Sequence, residues 1–349
     1  MSRIQIQGFY PLKGRVSIQG SKNAVLPMMA AALLHRGITV LANVPFIEDV
    51  ECMKGILKSL GCRCRQKGGV LEIDASFLRT CAIPDSYVKR MRSSVILLGA
   101  LLGRLGEGSC GYPGGCLIGA RPIDLHLQVL ESLGAQVSAG CDEVQVRGRG
   151  ERKAVGGMIR LRYPSVGATE QALLGAVLAE GTTQIFGAAR EPEIAQLCRF
   201  LKGMGARIEG CGTDCLTICG VKELHDSYFP VEGDRIVAGT YMAAVMAATG
   251  QAEIRGVNLP ALKLPCRLLM KAGARIEKDE TADALRISMK ERPRGLVIET
   301  APYPGFPTDL QSPFMAFLAG AKGESRIRET VFEDRFATAG ELRKMGARI

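Results

Sequence analysis

The sequence predicts an α/β fold built from repeated units, and three observations support this prediction. A short motif centred on a glycine recurs five times along the 349 residues. Its glycines, at positions 61, 134, 205, 273 and 346, are 73, 71, 68 and 73 residues apart, and periods of this length mark whole supersecondary units. Each recurrence also has the same order of elements. Helical and strand periodicities occur together in every unit, which is typical of an α/β fold.

Each unit begins with a helix of small apolar residues. The sequence predicts these helices over 24–34, 93–102, 170–178, 240–248 and 313–318. A glycine near the end of the helix then leads into a strand, as at 37–41 and 181–185. A second helix follows and ends at the repeated glycine, after which another strand begins.

The two ends of the chain depart from this regular pattern. Residues 3–7 and 15–19 alternate as two strands, and we expect them to form a hairpin. The last residues, Gly346 to Ile349, are the fifth copy of the motif, and no closing strands follow them. We therefore expect five of six units, with the N-terminal strands belonging to the sixth.

Composition indicates a cytoplasmic globular protein of two domains. The length exceeds that of one compact core, and no apolar stretch has the length of a membrane span or of a signal peptide's apolar block. The 12 cysteines are scattered without paired C-x-x-C spacing, so we expect reduced thiols and no metal site. These features exclude a membrane partner and favour the cytoplasm.

The net charge of +10 allows either nucleic acid or small anions as partners. Lys and Arg are spread along the chain, and no basic run with interleaved aromatic residues occurs. A basic pocket for phosphorylated small molecules is therefore the better interpretation, and we expect no nucleic-acid partner.

The segment from Pro113 to His126 contains the most informative cysteine. Glycines at 114, 115 and 119 predict a mobile loop around Cys116, and the nearby Arg121 favours the thiolate form of its side chain. Such a cysteine can donate a proton or act as a nucleophile. It can equally be a small residue in a turn, and the residues alone leave both interpretations open.

Three predicted helix starts carry polar side chains. Lys22 and Asn23 follow Ser21, where free amides and a cation can bind an anion. Ser165 and Val166 begin a segment that can offer amides and hydroxyls to a diphosphate. Asp309 is placed to act as a general base. At each start, ordinary helix capping or complementation of the helix dipole is the alternative.

Seven segments together resemble the UDP-N-acetylglucosamine 1-carboxyvinyltransferase family of enolpyruvyl transferases. They include Gly-Ser-Lys-Asn-Ala at 20–24 and Pro-Gly-Gly-Cys at 113–116, and the full set is 20–24, 91–94, 113–126, 165–169, 188–194, 234–236 and 306–311. Each segment alone is weak evidence. The ordered set spans the whole chain and is specific.

The resemblance implies a two-domain inside-out α/β barrel of repeated βαβαββ-like units, with five of the six units present. It implies that residues 22–229 form the first domain, with a catalytic loop at 112–122. Residues 1–21 and 230–349 would form the second domain, incomplete at its C-terminus. Members of the family continue for on the order of 70 further residues, which is about one unit of the period. The substrates would lie between the two domains.

The resemblance also implies a reaction, the first committed step of peptidoglycan precursor synthesis. The enolpyruvyl group of phosphoenolpyruvate moves to the 3-hydroxyl of UDP-N-acetylglucosamine, with no metal or organic cofactor. Cys116 would be the general acid and the target of fosfomycin, and Asp309 would be the base. Lys22, Asn23 and Arg121 would bind phosphoenolpyruvate. The sugar nucleotide would contact Arg92, Pro122, Ile123, Asp124, Leu125, Ser165, Val166 and Val331.

The sequence departs from the family at two places within the chain. Asp334 stands where Asn is common, near Arg335, which matches a family arginine. Tyr163 and Pro164 precede Ser165 where some members have Lys-Val, so a diphosphate contact is either lost or supplied by Arg160 or Arg162.

Three alternatives remain beside this interpretation. One is a shikimate 3-phosphate enolpyruvyl transferase, a family that lacks the Pro-Gly-Gly-Cys loop. The others are an inactive fragment and a non-catalytic paralogue that binds sugar nucleotides.

Overall fold

The computed structural model describes residues 5, 7–8, 10–114, 122–150 and 153–349. In these residues the α-helices are α1 (Lys22–Ala31), α2 (Glu48–Leu60), α3 (Asp85–Val88), α4 (Leu97–Leu105), α5 (Asp124–Ser132), α6 (Val166–Ala176), α7 (Pro192–Gly203), α8 (Arg235–Ala248), α9 (Lys263–Ala272), α10 (Gln311–Leu318) and α11 (Ala337–Lys344). Short 3₁₀ helices cover Ala32–Leu34, Arg92–Ile96, Leu259–Leu262 and Thr308–Leu310. The five predicted first helices of the units correspond to α1, α4, α6, α8 and α10.

In the described residues, strands lie before the first helix of a unit, between its two helices and after its second helix. They are β1 (Leu12–Ser17), β2 (Ile38–Ala42), β3 (Arg63–Lys67), β4 (Val70–Asp74), β5 (Ala82–Ile83), β6 (Glu107–Gly111), β7 (Gln136–Ala139), β8 (Glu143–Arg147), β9 (Met158–Arg160), β10 (Thr182–Phe186), β11 (Arg207–Glu209), β12 (Cys215–Cys219), β13 (Ser227–Pro230), β14 (Gly250–Arg255), β15 (Arg275–Asp279), β16 (Ala284–Met289), β17 (Val297–Glu299) and β18 (Arg326–Arg328).

The chain divides into two compact units. Gly20–Glu232 forms one, which we call the continuous unit. Met1–Gln19 and Gly233–Ile349 together form the other, which we call the discontinuous unit.

Four sheets share one topology, in which a parallel pair is followed by two antiparallel strands. Their strand orders are β5-β6-β8-β7, β9-β10-β12-β11, β13-β2-β4-β3 and β1-β14-β16-β15. The fifth sheet, β17-β18, is a parallel pair and matches the first two strands of the same pattern. Repeated sheets with intervening helices confirm the predicted α/β fold of repeated units.

The recurring glycine has a backbone reason to be glycine. In all five copies its φ is positive, from +79° at Gly134 to +114° at Gly273. Residues with a side chain rarely adopt this left-handed conformation, which ends a helix and turns the chain into the next strand. The repeated sequence motif therefore marks the C-terminal end of one helix in each unit.

β1, which overlaps the second strand of the predicted hairpin, has a parallel partner within the described residues. β1 pairs in parallel with β14, with Leu12 opposite Gly250 and Ser17 opposite Arg255, and the predicted partner strand at 3–7 lies largely outside the described residues. β13 pairs in the same way with β2. A parallel partner needs no tight turn, so no local sequence signal identifies it.

The first helices of the units form the core. In α1 every residue from Ala24 to Ala31 is buried, and α4 and α6 are buried along nearly their whole lengths. These two helices approach closely, because a Cβ on Gly99 would lie 2.7 Å from the Gln171 carbonyl oxygen. The strands instead alternate, with one face buried and one exposed. This packing fixes the positions of the helix N-termini.

Candidate active site

The start of α1 presents a cation beside helix amides. The Ser21 amide donates to the Glu232 carbonyl oxygen over 2.9 Å, and the Ser21 carbonyl accepts from the Val25 amide over 2.9 Å. Lys22 is exposed, with its Nζ 3.9 Å from Asp49 Oδ2. The buried Ser21 hydroxyl has no protein partner in the described part of the chain. Amides, hydroxyl and ammonium together favour an anion here.

Arg92 joins this part of the continuous unit to the segment before α5. Its Nη2 donates to the Pro122 carbonyl oxygen over 3.3 Å. Arg92 is half-buried at the start of its 3₁₀ helix, whereas Ile123 and Leu125 are buried in the core. The two apolar residues therefore anchor the segment in the core of the continuous unit.

Side-chain contacts hold the N-termini of α5 and α6 together. Asp124 forms an ion pair with Arg162, and its Oδ1 is buried without a hydrogen-bond partner in the described residues. Deeper in the unit, His126 Nδ1 lies 3.3 Å from the side-chain amide of Gln171. An unsatisfied buried acceptor at a paired helix start can bind a donor group of a ligand.

Ser165 is the N-cap of α6. Its hydroxyl oxygen accepts from the Ala168 amide over 3.3 Å, and its carbonyl oxygen accepts from the Thr169 hydroxyl over 2.8 Å. The Thr169 hydroxyl also accepts from the Ala189 amide over 3.0 Å. Ser165 and Val166 remain half-exposed, so the first turn of this 11-residue helix is accessible to a ligand.

A buried carboxyl lies one turn further along α6. Glu170 is only 7% exposed, and burial raises its pKa to about 8, with smaller contributions from the nearby Glu193 and Glu191. At neutral pH the side chain is therefore mostly a neutral carboxylic acid.

Asp309 lies in the discontinuous unit, within the 3₁₀ helix that precedes α10. Its Oδ1 accepts from Arg335 Nη2 over 2.6 Å, and Arg335 Nη1 donates to the Thr308 hydroxyl oxygen over 3.1 Å. The Arg335 side chain is 17% exposed and that of Asp309 is 41% exposed. The carboxylate is thus accessible and held in one orientation by a fixed guanidinium.

Glu329 organises the loop beside this ion pair. Its Oε2 accepts from the Thr308 hydroxyl over 2.8 Å, and its Oε1 accepts from the Val331 amide over 2.9 Å. Val331 itself lies in the loop beyond β18 and is exposed. Glu329 therefore positions both the Asp309 turn and the Val331 loop.

The predicted loop around Cys116 lies mainly outside the described residues, and so do Cys116 and Arg121. Its N-terminal stem is described. The Gly114 amide donates to the Val88 carbonyl oxygen over 3.1 Å, and a Cβ there would lie 2.0 Å from the Lys89 carbonyl oxygen. Only glycine fits this close approach.

The sequence located the helix starts but missed the contacts that hold them. The Asp309–Arg335 pair, the Glu329 hydrogen bonds and the Asp124–Arg162 pair all join residues from separate segments. Arg162 was expected near the diphosphate, and no spacing indicated a pairing with Asp124. The only feature of the sequence that could have indicated the buried carboxyl of Glu170 was its position within the apolar run of α6.

Within the described residues, no three His, Cys, Asp or Glu side chains cluster closely enough to bind a metal ion. In the same part of the chain, no helix combines the length and apolarity needed to cross a bilayer.

Comparison with known proteins identifies the family. Residues 6–349 match the family model of EPSP synthase (3-phosphoshikimate 1-carboxyvinyltransferase). The UDP-N-acetylglucosamine 1-carboxyvinyltransferase 1 of Caldanaerobacter subterraneus subsp. tengcongensis is 43% identical over 97% of the chain and 80% of its own length. The chain belongs to the EPSP synthase family. Among its other relatives, the UDP-N-acetylglucosamine 1-carboxyvinyltransferase of Cellvibrio japonicus is 42% identical over the whole chain and 83% of its own length.

Solved structures of two other proteins have the same fold. The enolpyruvyl transferase NikO from Streptomyces tendae superposes with a TM-score of 0.85 at 25% identity, over 97% of this chain and 80% of that one. An EPSP synthase from Acinetobacter baumannii gives a TM-score of 0.68 at 18% identity, over 95% of this chain and 78% of that one. The chain is therefore an EPSP synthase-like α/β protein and a transferase enzyme.

Proposed function

We propose that this enzyme transfers the enolpyruvyl group of phosphoenolpyruvate to the 3-hydroxyl of UDP-N-acetylglucosamine and releases phosphate. The observation that carries the proposal is the similarity, 41 to 44% over nearly the whole chain, to transferases named for this acceptor. The reaction would be the first committed step of peptidoglycan precursor synthesis, with 22–229 as one domain and 1–21 with 230–349 as the other.

The polar groups at the helix starts suit the two anionic substrates. The N-termini of α5 and α6, with Arg92 and Arg162 nearby, supply amides and guanidinium groups for a diphosphate. Lys22 supplies a cation for phosphoenolpyruvate. The proposed substrate contacts are Lys22, Asn23, Arg92, Arg121, Pro122, Ile123, Asp124, Leu125, Ser165, Val166, Asp309 and Val331.

The proposed chemistry is addition followed by elimination. Asp309 accepts the proton of the 3-hydroxyl, whose oxygen bonds to C2 of phosphoenolpyruvate, while Cys116 delivers a proton to C3. The resulting tetrahedral intermediate then loses phosphate from C2 and a proton from C3, which restores the double bond. Arg335 holds the Asp309 carboxylate in one orientation, so the base is positioned before the substrate binds.

Phosphate release with phosphoenolpyruvate and either acceptor tests the proposal. We expect release with UDP-N-acetylglucosamine and none with shikimate 3-phosphate. Asp309→Asn should lower the rate by about 10²- to 10⁴-fold, the usual effect of losing a general base. The exposed Asp334→Asn is the matched control and should retain activity. Release with shikimate 3-phosphate alone would reverse the assignment of the acceptor.

A separate measurement tests the role of Cys116. Fosfomycin, an epoxide that mimics phosphoenolpyruvate, should alkylate Cys116 when UDP-N-acetylglucosamine is bound. Mass spectrometry then locates the adduct. An unlabelled Cys116 in the presence of the sugar nucleotide contradicts the assigned role of this thiol.

A further inference from the structure

Arg162 joins two segments of the continuous unit that carry proposed contacts to the sugar nucleotide. It lies between β9 and Ser165, the cap of α6. Its Nη2 forms an ion pair with Oδ2 of Asp124, the first residue of α5. The side chain of Arg162 is 62% exposed and that of Asp124 is 41% exposed. The ion pair is therefore accessible to a ligand.

The two carboxylate oxygen atoms of Asp124 have different surroundings. Oδ2 contacts the Arg162 guanidinium, whereas Oδ1 is buried and has no hydrogen-bond partner among the residues that the structure describes. Buried acceptors in folded proteins almost always receive a hydrogen bond, because leaving one without a donor is unfavourable. Oδ1 is therefore available to a donor group of a ligand.

The backbone around Arg162 is held on both sides. The amide of the buried Leu161 donates to the Phe186 carbonyl oxygen over 2.9 Å, and the Ser165 amide donates to the Tyr163 carbonyl oxygen over 2.8 Å. The Arg162 guanidinium carbon lies 5.6 Å from the centroid of the Tyr163 ring, a distance at which a cation is attracted to an aromatic face. Arg162 therefore extends from a fixed backbone, beside a ring that restricts its rotamers.

Arg160, the other cation of this segment, has a different environment. Its guanidinium carbon lies 4.6 Å from the centroid of the Phe186 ring, on β10. Its carbonyl oxygen accepts from Gln128 Nε2 over 3.0 Å, which ties β9 to α5. Of the two guanidinium groups, the one in contact with the first residue of α5 is that of Arg162.

Charge decides which part of the substrate suits Asp124 Oδ1. A carboxylate repels a diphosphate, and the ionised diphosphate offers it no hydrogen-bond donor. The proposed function assigns the diphosphate to the helix starts with their amides and the reacting 3-hydroxyl to Asp309. The nucleoside remains, and its base and ribose carry N–H and O–H donors.

We infer that Arg162 is a positioning residue for the nucleoside of the sugar nucleotide. By holding Oδ2, its guanidinium fixes the Asp124 carboxylate so that Oδ1 accepts a hydrogen bond from a nucleoside donor. The same guanidinium, more than half exposed, also faces solvent where a diphosphate can approach it. This role rests on the proposed function, which supplies the uridine nucleotide as the ligand, and it adds a residue that acts through Asp124.

Uridine, which has no phosphate, separates this role from a contact with the diphosphate. Binding to the full chain is measured by ligand-observed nuclear magnetic resonance for uridine and by calorimetry for UDP. We expect Arg162→Ala to weaken uridine binding about 3- to 10-fold, the usual effect of losing one hydrogen bond. Arg147→Ala removes another exposed arginine of an ion pair in the same unit and is the matched control, with uridine binding unchanged. Unchanged uridine binding in Arg162→Ala would overturn the inference.

A double-mutant cycle tests whether Arg162 acts through Asp124. Asp124→Ala alone should weaken uridine binding at least as much as Arg162→Ala does, and adding Arg162→Ala should then have no further effect. Additive losses in the double variant would contradict positioning through Asp124. If Asp124→Ala does not fold, Asp124→Ser removes the same carboxylate and serves for the same cycle.

Turnover separates this role from the proposed reaction. In phosphate release, Arg162→Ala should raise KM for UDP-N-acetylglucosamine and leave kcat unchanged, and Arg162→Lys, which retains a donor for Oδ2, should recover part of the affinity. An unchanged KM in Arg162→Ala, with normal turnover, would refute the positioning role alone. Uridine binding that depends on Arg162 without any phosphate release would refute the proposed reaction and support the positioning role. A wild-type chain that binds neither uridine nor UDP would refute both.

Discussion

Replacing Glu170 with glutamine should remove a large pH dependence from the stability of the protein. The carboxyl of Glu170 is buried within α6, where burial raises its pKa to about 8, against an ordinary value of 4.5. Below pH 4.5 the group is protonated in both the folded and the unfolded chain. As the pH rises towards 8, only the unfolded chain releases this proton, so the free energy of unfolding falls.

The size of this fall follows from the two pKa values. Each pH unit between them lowers the free energy of unfolding by about 1.4 kcal/mol, and the slope vanishes above the folded-state pKa. Between pH 5 and pH 8 the contribution of Glu170 is therefore roughly 3 to 4 kcal/mol. Glutamine has nearly the same shape and no charge to bury. The free energy of unfolding of Glu170→Gln, measured relative to the wild type, should therefore rise by this amount between pH 5 and pH 8.

Urea denaturation at pH 5, 6.5 and 8 measures the difference between the two chains. Comparing the chains cancels the titration of histidines and other groups common to both. The matched control is Glu209→Gln, which removes an exposed carboxylate on β11. Parallel stability curves for Glu170→Gln and wild type over this range would refute the reasoning, because they would mean that Glu170 is ionised in the folded state at neutral pH.

Three further substitutions test the packing and the site. Gly99→Ala should lower the free energy of unfolding by about 1 to 3 kcal/mol, because its Cβ would lie 2.7 Å from a carbonyl oxygen of α6. The control is Gly340→Ala on α11, where the new Cβ meets open space; this change should not lower the melting temperature. Asp234→Ala removes the cap of α8 and should cost about 1 to 2 kcal/mol in urea denaturation; an unchanged midpoint would contradict the cap. Arg335→Lys keeps the charge but loses the guanidinium that bonds both Asp309 and Thr308, so kcat for phosphate release should fall about 10- to 100-fold, and an unchanged kcat would exclude this positioning role.

The sequence predicted those features that depend on local backbone geometry. The repeated glycine predicted each helix end because a left-handed residue recurs there, and small apolar residues predicted the buried first helices. The pairing of β1 with β14 was not predictable, since parallel strands need no connecting turn. The Asp309–Arg335 pair was missed for a similar reason, because no periodicity relates the 3₁₀ helix that carries Asp309 to the loop that carries Arg335.

The repeat also explains why the proposed substrate contacts recur at helix starts. Four proposed contacts, Lys22, Arg92, Ser165 and Asp309, stand at the beginning of the first helix of a unit or in the 3₁₀ turn before it. Asp234, the cap of α8, holds the equivalent position in the remaining unit. The five positions, in chain order, are 70, 73, 69 and 75 residues apart. A repeated helix start provides the same feature each time, a set of backbone amides without helical partners at the positive end of a helix dipole. The backbone is thus suited to anions at several equivalent positions before any side chain is chosen. The units then differ in what stands there: a cation, a hydroxyl cap, or a carboxylate held by an arginine. A fold of repeated units can therefore acquire the parts of one phosphate-handling reaction by changing single residues at positions that its backbone already prepares.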